Sequence, residues 1–338
     1  MQVVIPRLYC PFPSRINPLV HVADEHTTQW VRQFQLVPSH EILEFYQQQK
    51  FAWMVARMFP NADQDALCAF CDLNTYLFFL DDLFDHPGAQ SEFNGKDKFR
   101  YFVKRLVDIL RNNEEPSLEK DGAMFAALGD LWQRLKKMSD TSWQQQFIDG
   151  IIAIFEAAVW QFENERQQVL PSLTDYMQKR QYLGAANVAT DTIPVAERIA
   201  LPGYVYHHQL VHRLTELCRN TVCWANDLFS FSKEIEHLDK YNMVAILQRE
   251  NNLSLDDAIM ATVRIHDEQV EEFIALSKKA AIFDEAENTA LSNYINALAA
   301  LMRGNIDWSV NETSRYSFIY HDEPSLGAGV YQLKRGNR

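Results

Sequence analysis

The sequence predicts an all-α chain folded as a single-domain helical bundle, and three observations predict it. No proline occurs between Pro202 and Pro324, and no glycine between Gly203 and Gly304. A gap of that size suits long helices and not strands, which need frequent turn residues. Apolar positions recur at three and four residues, as in Phe147, Ile151, Ile154, Phe155, Ala158 and Phe162. No sustained alternation of period two and no strand-rich β-branched run is present.

Taken in order, Pro6, Pro11, Pro13 and Pro18 mark residues 1–20 as an extended, non-helical arm. Helices are expected over 29–36, 40–58, 63–85, 95–112, 117–138 and 141–168. A further helix over 172–187 has its start signal in Ser172 and Thr174. Two prolines and a glycine in "DTIPVAERIALPGY" (191–204) predict a break or a short helical piece. Helices over 204–235, 241–249, 254–280 and 284–310 follow, with Ser254 as a start signal. No repeat, low-complexity tract or linker divides the chain, so residues 1–338 read as one domain. The tail 321–338 carries no signal of its own.

Composition narrows the function classes. Of 338 residues, 47% are hydrophobic, enough for a sizeable core, and the net charge of −13 argues against nucleic-acid binding or an anionic membrane surface. A polyanionic partner would need a local bridge of metal ions or arginines. Five cysteines, an odd number, suggest a reducing compartment rather than a disulfide framework. The first residues lack a secretory pattern, and no stretch of about twenty apolar residues predicts a membrane span. A soluble cytoplasmic protein is expected.

Two polar clusters interrupt the apolar pattern. In "YLFFLDDLFDH" (76–86), Asp81 and Asp85 are four apart and share a helix face, with Asp82 about 100° round from Asp81. Such carboxylates repel one another and are costly to desolvate unless a cation offsets their charge. Oxygen ligands at this density suit a hard cation, Mg²⁺ above all, which bridges carboxylates to substrate phosphates. In "NDLFSFSKE", Asn226, Ser230 and Glu234 fall at i, i+4 and i+8 and stay within about 80° on one face. An amide oxygen, a hydroxyl and a carboxylate in a row form a second all-oxygen chelate, with Lys233 beside it as a cation for phosphate.

These residues resemble the paired metal motifs of microbial, bacterial-type class I terpene synthases: DDxxD followed by NDxxSxxxE. Arg180, which precedes Asn226 by 46 residues, matches the place of that family's diphosphate-sensing arginine. Gly184 matches its effector glycine, with Leu183 at the linker position between them. "RGNIDWSVNETSRY" matches the terminal pattern, Arg315 and Tyr316 being the diphosphate-binding pair and Trp308 an aromatic wall. The resemblance spans roughly residues 10–320.

The resemblance implies the class I terpenoid synthase bundle, with an active-site cavity opening between the helices that carry Asp81 and Asn226. It implies a prenyl diphosphate substrate, farnesyl diphosphate first and geranylgeranyl or geranyl diphosphate as alternatives, cyclised after ionisation. Mg²⁺ is the implied cofactor, three ions in number, with Mn²⁺ as a substitute. Asp81, Asp82, Asp85, Asn226, Ser230 and Glu234 would hold the metal. Arg180, Lys233, Arg315 and Tyr316 would bind the diphosphate. Phe78, Phe79 and Trp308 would line the pocket and face the carbocation, and the Gly184 carbonyl would help trigger ionisation. A homodimer is left open.

Other features carry plainer readings. Cys68 and Cys71 form a CxxC inside an apolar helix, and Cys218 and Cys223 supply no matching pair, so buried free thiols are expected rather than a zinc site. His208 and His212 have metal spacing but no carboxylate partner nearby. Nucleotide-binding loops and a nucleophile elbow are absent from the sequence. Two competing functions stay open here. One is a chain-elongating prenyltransferase, which carries two aspartate-rich motifs; the other is a helical scaffold whose acidic clusters are solvated.

Overall fold

A computed structural model describes residues 3–85, 96–236, 240–321 and 331–334. Its long helices are α1 (Val20–Gln33), α4 (Gln64–Asp85), α5 (Lys96–Asn112), α7 (Ala123–Lys137), α8 (Thr141–Gln167), α9 (Leu173–Leu183), α13 (Gln209–Glu236), α15 (Leu255–Ser277) and α16 (Glu285–Asn311). Shorter pieces join them: α2 (His40–Gln48), α3 (Phe51–Met58), α6 (Leu118–Asp121), α10 (Ala186–Asp191), α11 (Ile193–Ala196), α12 (Gly203–Tyr206) and α14 (Met243–Asn251). Starts are capped where the sequence supplies a short polar side chain. Ser39, Asp140, Ser172, Asn242 and Ser254 each accept a backbone N–H of the first turn, and Asp284 with Glu287 forms a capping box.

Several expected boundaries are corrected. The first helix begins at Val20, not at 29, entered through a turn at Pro18 and Leu19. The helix expected over 40–58 is two, because Lys50 takes a left-handed conformation (φ 57°) between them. That over 117–138 is split at Gly122 (φ 91°). The expected 172–187 ends at Leu183 and restarts after Ala185 (φ 52°). The expected 204–235 is a single turn, α12, followed by α13.

Strands were not expected, yet the chain ends form a small sheet. β1 (Val4–Ile5) runs parallel to β2 (Phe318–His321), pairing Val4 with Ile319 and Ile5 with Tyr320. β2 pairs antiparallel with β3 (Tyr331–Lys334). The arm is also pinned where the Leu8 amide donates to the Tyr320 hydroxyl and the Tyr9 amide to Asp267.

At the centre lies α13. Leu217, Cys218, Val222, Ser230, Cys223, Asp227 and Phe231 are buried around its circumference, the pattern of a helix enclosed on all sides. It packs against α9, α10, α14, α15 and α16. α4 is similarly enclosed by α1, α3, α7 and α11. These two helices carry the acidic and chelating clusters toward their C-terminal ends, so the fold delivers both motifs from apolar supports.

Candidate active site

α4 ends its apolar run at Asp81 and Asp82, and the two carboxylates sit in different surroundings. Asp82 accepts from Arg315 through Nη2 (2.8 Å) and Nη1 (3.3 Å) and from the Tyr46 hydroxyl (3.0 Å), with Lys233 Nζ at 4.0 Å. Burial raises the Asp82 pKa, but the Arg315 charge and hydrogen bonds, helped by Lys233 and Tyr46, outweigh it and hold the carboxyl below its usual value. Asp81 is half-exposed and has one longer contact, 3.4 Å from Arg315 Nη2. Asp85 closes α4, and its side chain lies outside the described residues.

Facing this pair, α13 presents its second cluster. Asn226 Oδ1 accepts from Arg180 Nη2 at 2.7 Å, and Asn226 Nδ2 donates to the Tyr316 hydroxyl at 2.9 Å. One turn on, the Ser230 hydroxyl donates to the Asn226 carbonyl (2.8 Å). A further turn on, Glu234 accepts from Asn242 Nδ2 (2.7 Å). Lys233 and Arg315–Tyr316 therefore span the gap between the two motif helices: Lys233 and Arg315 reach Asp82 on α4, and Tyr316 reaches Asn226 on α13.

Arg180 comes from the last turn of α9, where a buried carboxylate waits for it. Asp227 accepts from Arg180 Nε (2.7 Å), from the Tyr176 hydroxyl (2.7 Å) and from the Met243 amide (2.9 Å). Burial would disfavour the Arg180 charge, but Asp227 overrides it and keeps the guanidinium protonated. Gly184 caps α9, and a Cβ there would run into the Arg180 guanidinium. Burial pushes the Tyr316 hydroxyl up to about 12, with Arg315 opposing, so it remains a donor at neutral pH.

The aromatic candidates separate. Phe78 stacks on Phe51 (centroids 4.1 Å apart), leans on Trp308 (6.1 Å) and lies 5.0 Å under the Arg315 guanidinium. Trp308 is fully buried, meets Tyr316 edge-on at 5.8 Å and donates its indole N–H to the Gln49 and Lys50 carbonyls. Phe79 turns instead to Tyr46, 4.4 Å away. All five cysteines are free and buried, as expected of core thiols.

Sequence reading missed Tyr46, Tyr176, Asp227 and Asn242. Only Asp227 carried a signal, since it follows Asn226 directly in the sequence, about 100° round the helix from it. The others reach the site through tertiary contacts that no local pattern encodes.

Residues 72–272 match the family described as terpene synthase family 2, C-terminal metal binding. The (+)-T-muurolol synthase ((2E,6E)-farnesyl diphosphate cyclizing) of Roseiflexus castenholzii is 32% identical over 96% of this chain and 98% of its own. The chain belongs to the terpene synthase family. The germacrene A synthase of Nostoc punctiforme is 28% identical over 95% of this synthase and 96% of its own length. The crystal structure of the linalool/nerolidol synthase from Streptomyces clavuligerus superposes with a TM-score of 0.80 at 20% identity, covering 90% of this chain and 100% of that one. The fold is thus the all-α class I terpenoid synthase bundle, and the synthase is a lyase-type terpene cyclase with a divalent-metal cofactor.

The donor set suits such a metal. Carboxylate, amide and hydroxyl oxygens alone are offered by Asp81, Asp82, Asn226, Ser230 and Glu234, the chemistry of a hard cation. Among the described residues no group of three or more His, Cys, Asp or Glu side chains converges as a metal site. No helix among the described residues is long and apolar enough to cross a membrane.

Proposed function

We propose that this synthase ionises a prenyl diphosphate, farnesyl diphosphate first, and cyclises the carbocation to a sesquiterpene hydrocarbon or alcohol with release of diphosphate. One observation carries the reading: Lys233, Arg315 and Tyr316 join the Asp81–Asp82 and Asn226–Ser230–Glu234 faces at a single mouth. The relative that cyclises farnesyl diphosphate supports the chain length.

In this reading Asp81, Asp82, Asp85, Asn226, Ser230 and Glu234 hold the metal, Mg²⁺ as three ions with Mn²⁺ able to replace it. Bound metal supplies positive charge that neutralises the departing diphosphate. Arg180, preset by Asp227, donates charge-assisted hydrogen bonds to the same group, as do Arg315 and Lys233. Arginine's planar fork suits two oxygens at once. Tyr316 adds a neutral donor. These donors stand in place before charge develops, which is the condition for lowering the ionisation barrier. Phe78 presents a ring face beneath Arg315, and the fully buried Trp308 backs it at 6.1 Å. Cation–π contacts contribute about 0.5–2 kcal/mol each. Phe79, packed on Tyr46, supports that wall from behind, and Gly184 leaves room for Arg180. The helices form one catalytic domain in this reading. Its placement in the cytoplasm is supported by five unpaired, buried cysteines, and a homodimer stays open.

Asp81→Ala and Asn226→Ala test the assignment. Each is expected to abolish turnover of farnesyl diphosphate while the far-ultraviolet circular dichroism and unfolding temperature stay close to the parent's. Near-normal product from both would sink it.

A further inference from the structure

Asn242 starts α14 and is fully buried, and its amide oxygen and both amide N–H groups are hydrogen-bonded. Its Oδ1 accepts from the Val244 amide at 2.8 Å, the ordinary helix cap. Its Nδ2 donates twice, at 2.7 Å to the Asp227 carbonyl and at 2.7 Å to Glu234 Oε2. The amide orientation follows from chemistry: one side faces an N–H, and the other faces a carbonyl and a carboxylate. The next residue, Met243, gives its own amide to the Asp227 carboxylate, which also receives Arg180 and Tyr176. Two consecutive residues at the head of α14 thus brace Glu234 on one side and the Arg180 support on the other.

A cap requires only the oxygen. Serine and threonine cap helices nearly as well with no amide to donate, so capping leaves the Nδ2 contacts unaccounted for. An oriented donor on a chelating carboxylate fixes its rotamer, and partners of this kind govern metal affinity. We propose that Asn242 is a positioning residue that aims Glu234 for divalent-metal binding and ties that aim to the Asp227–Arg180 pair. This rests on reading Glu234 as a metal ligand.

The test separates the two claims. Mg²⁺ is titrated into the full chain with inorganic pyrophosphate, following binding by calorimetry and the unfolding temperature with and without metal. The parent is expected to bind pyrophosphate only with Mg²⁺; no such binding would overturn the ligand reading and this proposal together. With parental binding established, Asn242→Ser is expected to raise the half-saturating Mg²⁺ about 10- to 100-fold; its metal-free unfolding temperature falls modestly, because the cap survives but two buried acceptors lose their donor. An unchanged half-saturation overturns the positioning role and leaves the ligand reading standing. If the serine variant does not fold, Asn242→Thr repeats the measurement. Failure of both to fold would assign the amide to stability alone and overturn the proposal.

Discussion

A Cβ at Gly184 would displace the Arg180 guanidinium, although the Gly184 backbone (φ −92°) suits alanine. Gly184→Ala should therefore fold normally and still lose turnover by about 100-fold, the scale of an ångström-sized misplacement of a binding group. Steady-state release of pyrophosphate beside a circular dichroism melt measures both halves of that expectation. Tyr46→Phe keeps the ring against Phe79 but removes one donor from Asp82. It should cost about 1.5 kcal/mol of stability, the lower end for hydrogen bonds to charged groups, read from the midpoint of a urea titration. An unshifted midpoint would mean that Arg315 alone satisfies Asp82. The sequence showed Asp81, Asn226, Ser230 and Glu234 because helical spacing puts chelating atoms on one face. It could not show Tyr46, which meets Asp82 from 36 positions away, or Asn242, whose capping role looks ordinary without the fold.

Helix existence was legible and helix punctuation was not. Lys50 and Ala185 take left-handed backbones at breaks where neither residue type announces one. The strands escaped notice for another reason. β1 and β2 hold two and four residues, too short for an alternating pattern, and they pair across more than three hundred positions. Between long helices, α13 and α15 are clamped by Arg213, which grips Glu272 through two nitrogens at 2.8 and 2.7 Å. The Arg213 hydrogen bonds hold the Glu272 carboxyl below its usual value. A lowered carboxylate pKa gives stability that is present above the unfolded value of about 4.3 and lost as pH falls through the folded value. Glu272→Gln should accordingly lower the unfolding temperature slightly at pH 7, by less than about 1 kcal/mol for so exposed a pair. That gap should close in acid, as pH falls through the lowered folded value and the parent's carboxylate is protonated too. A gap that persists in acid would point to lost packing instead.

Across the whole molecule, two enclosed helices bring their polar ends to one mouth, and the segment after α16 closes the circuit. Arg315 reaches the aspartate pair while Tyr316 reaches Asn226. β2 follows at once and packs Phe318 and Tyr320 against Phe229 of α13, at 5.0 and 6.0 Å. α13 is therefore braced from behind by the strand that continues from Arg315 and Tyr316. Against a net charge of −13, Arg180, Lys233 and Arg315 set three cations among Asp81, Asp82, Asp227 and Glu234, so a diphosphate entering there would need added positive charge such as metal. The central claim is that this mouth ionises an allylic diphosphate with metal and needs no second substrate. Headspace mass spectrometry after supplying farnesyl diphosphate alone, with Mg²⁺ and then with a chelator, tests it most directly. A sesquiterpene formed without isopentenyl diphosphate and lost on chelation is the expected result. Product that survives the chelator, or none until isopentenyl diphosphate is added, would contradict it.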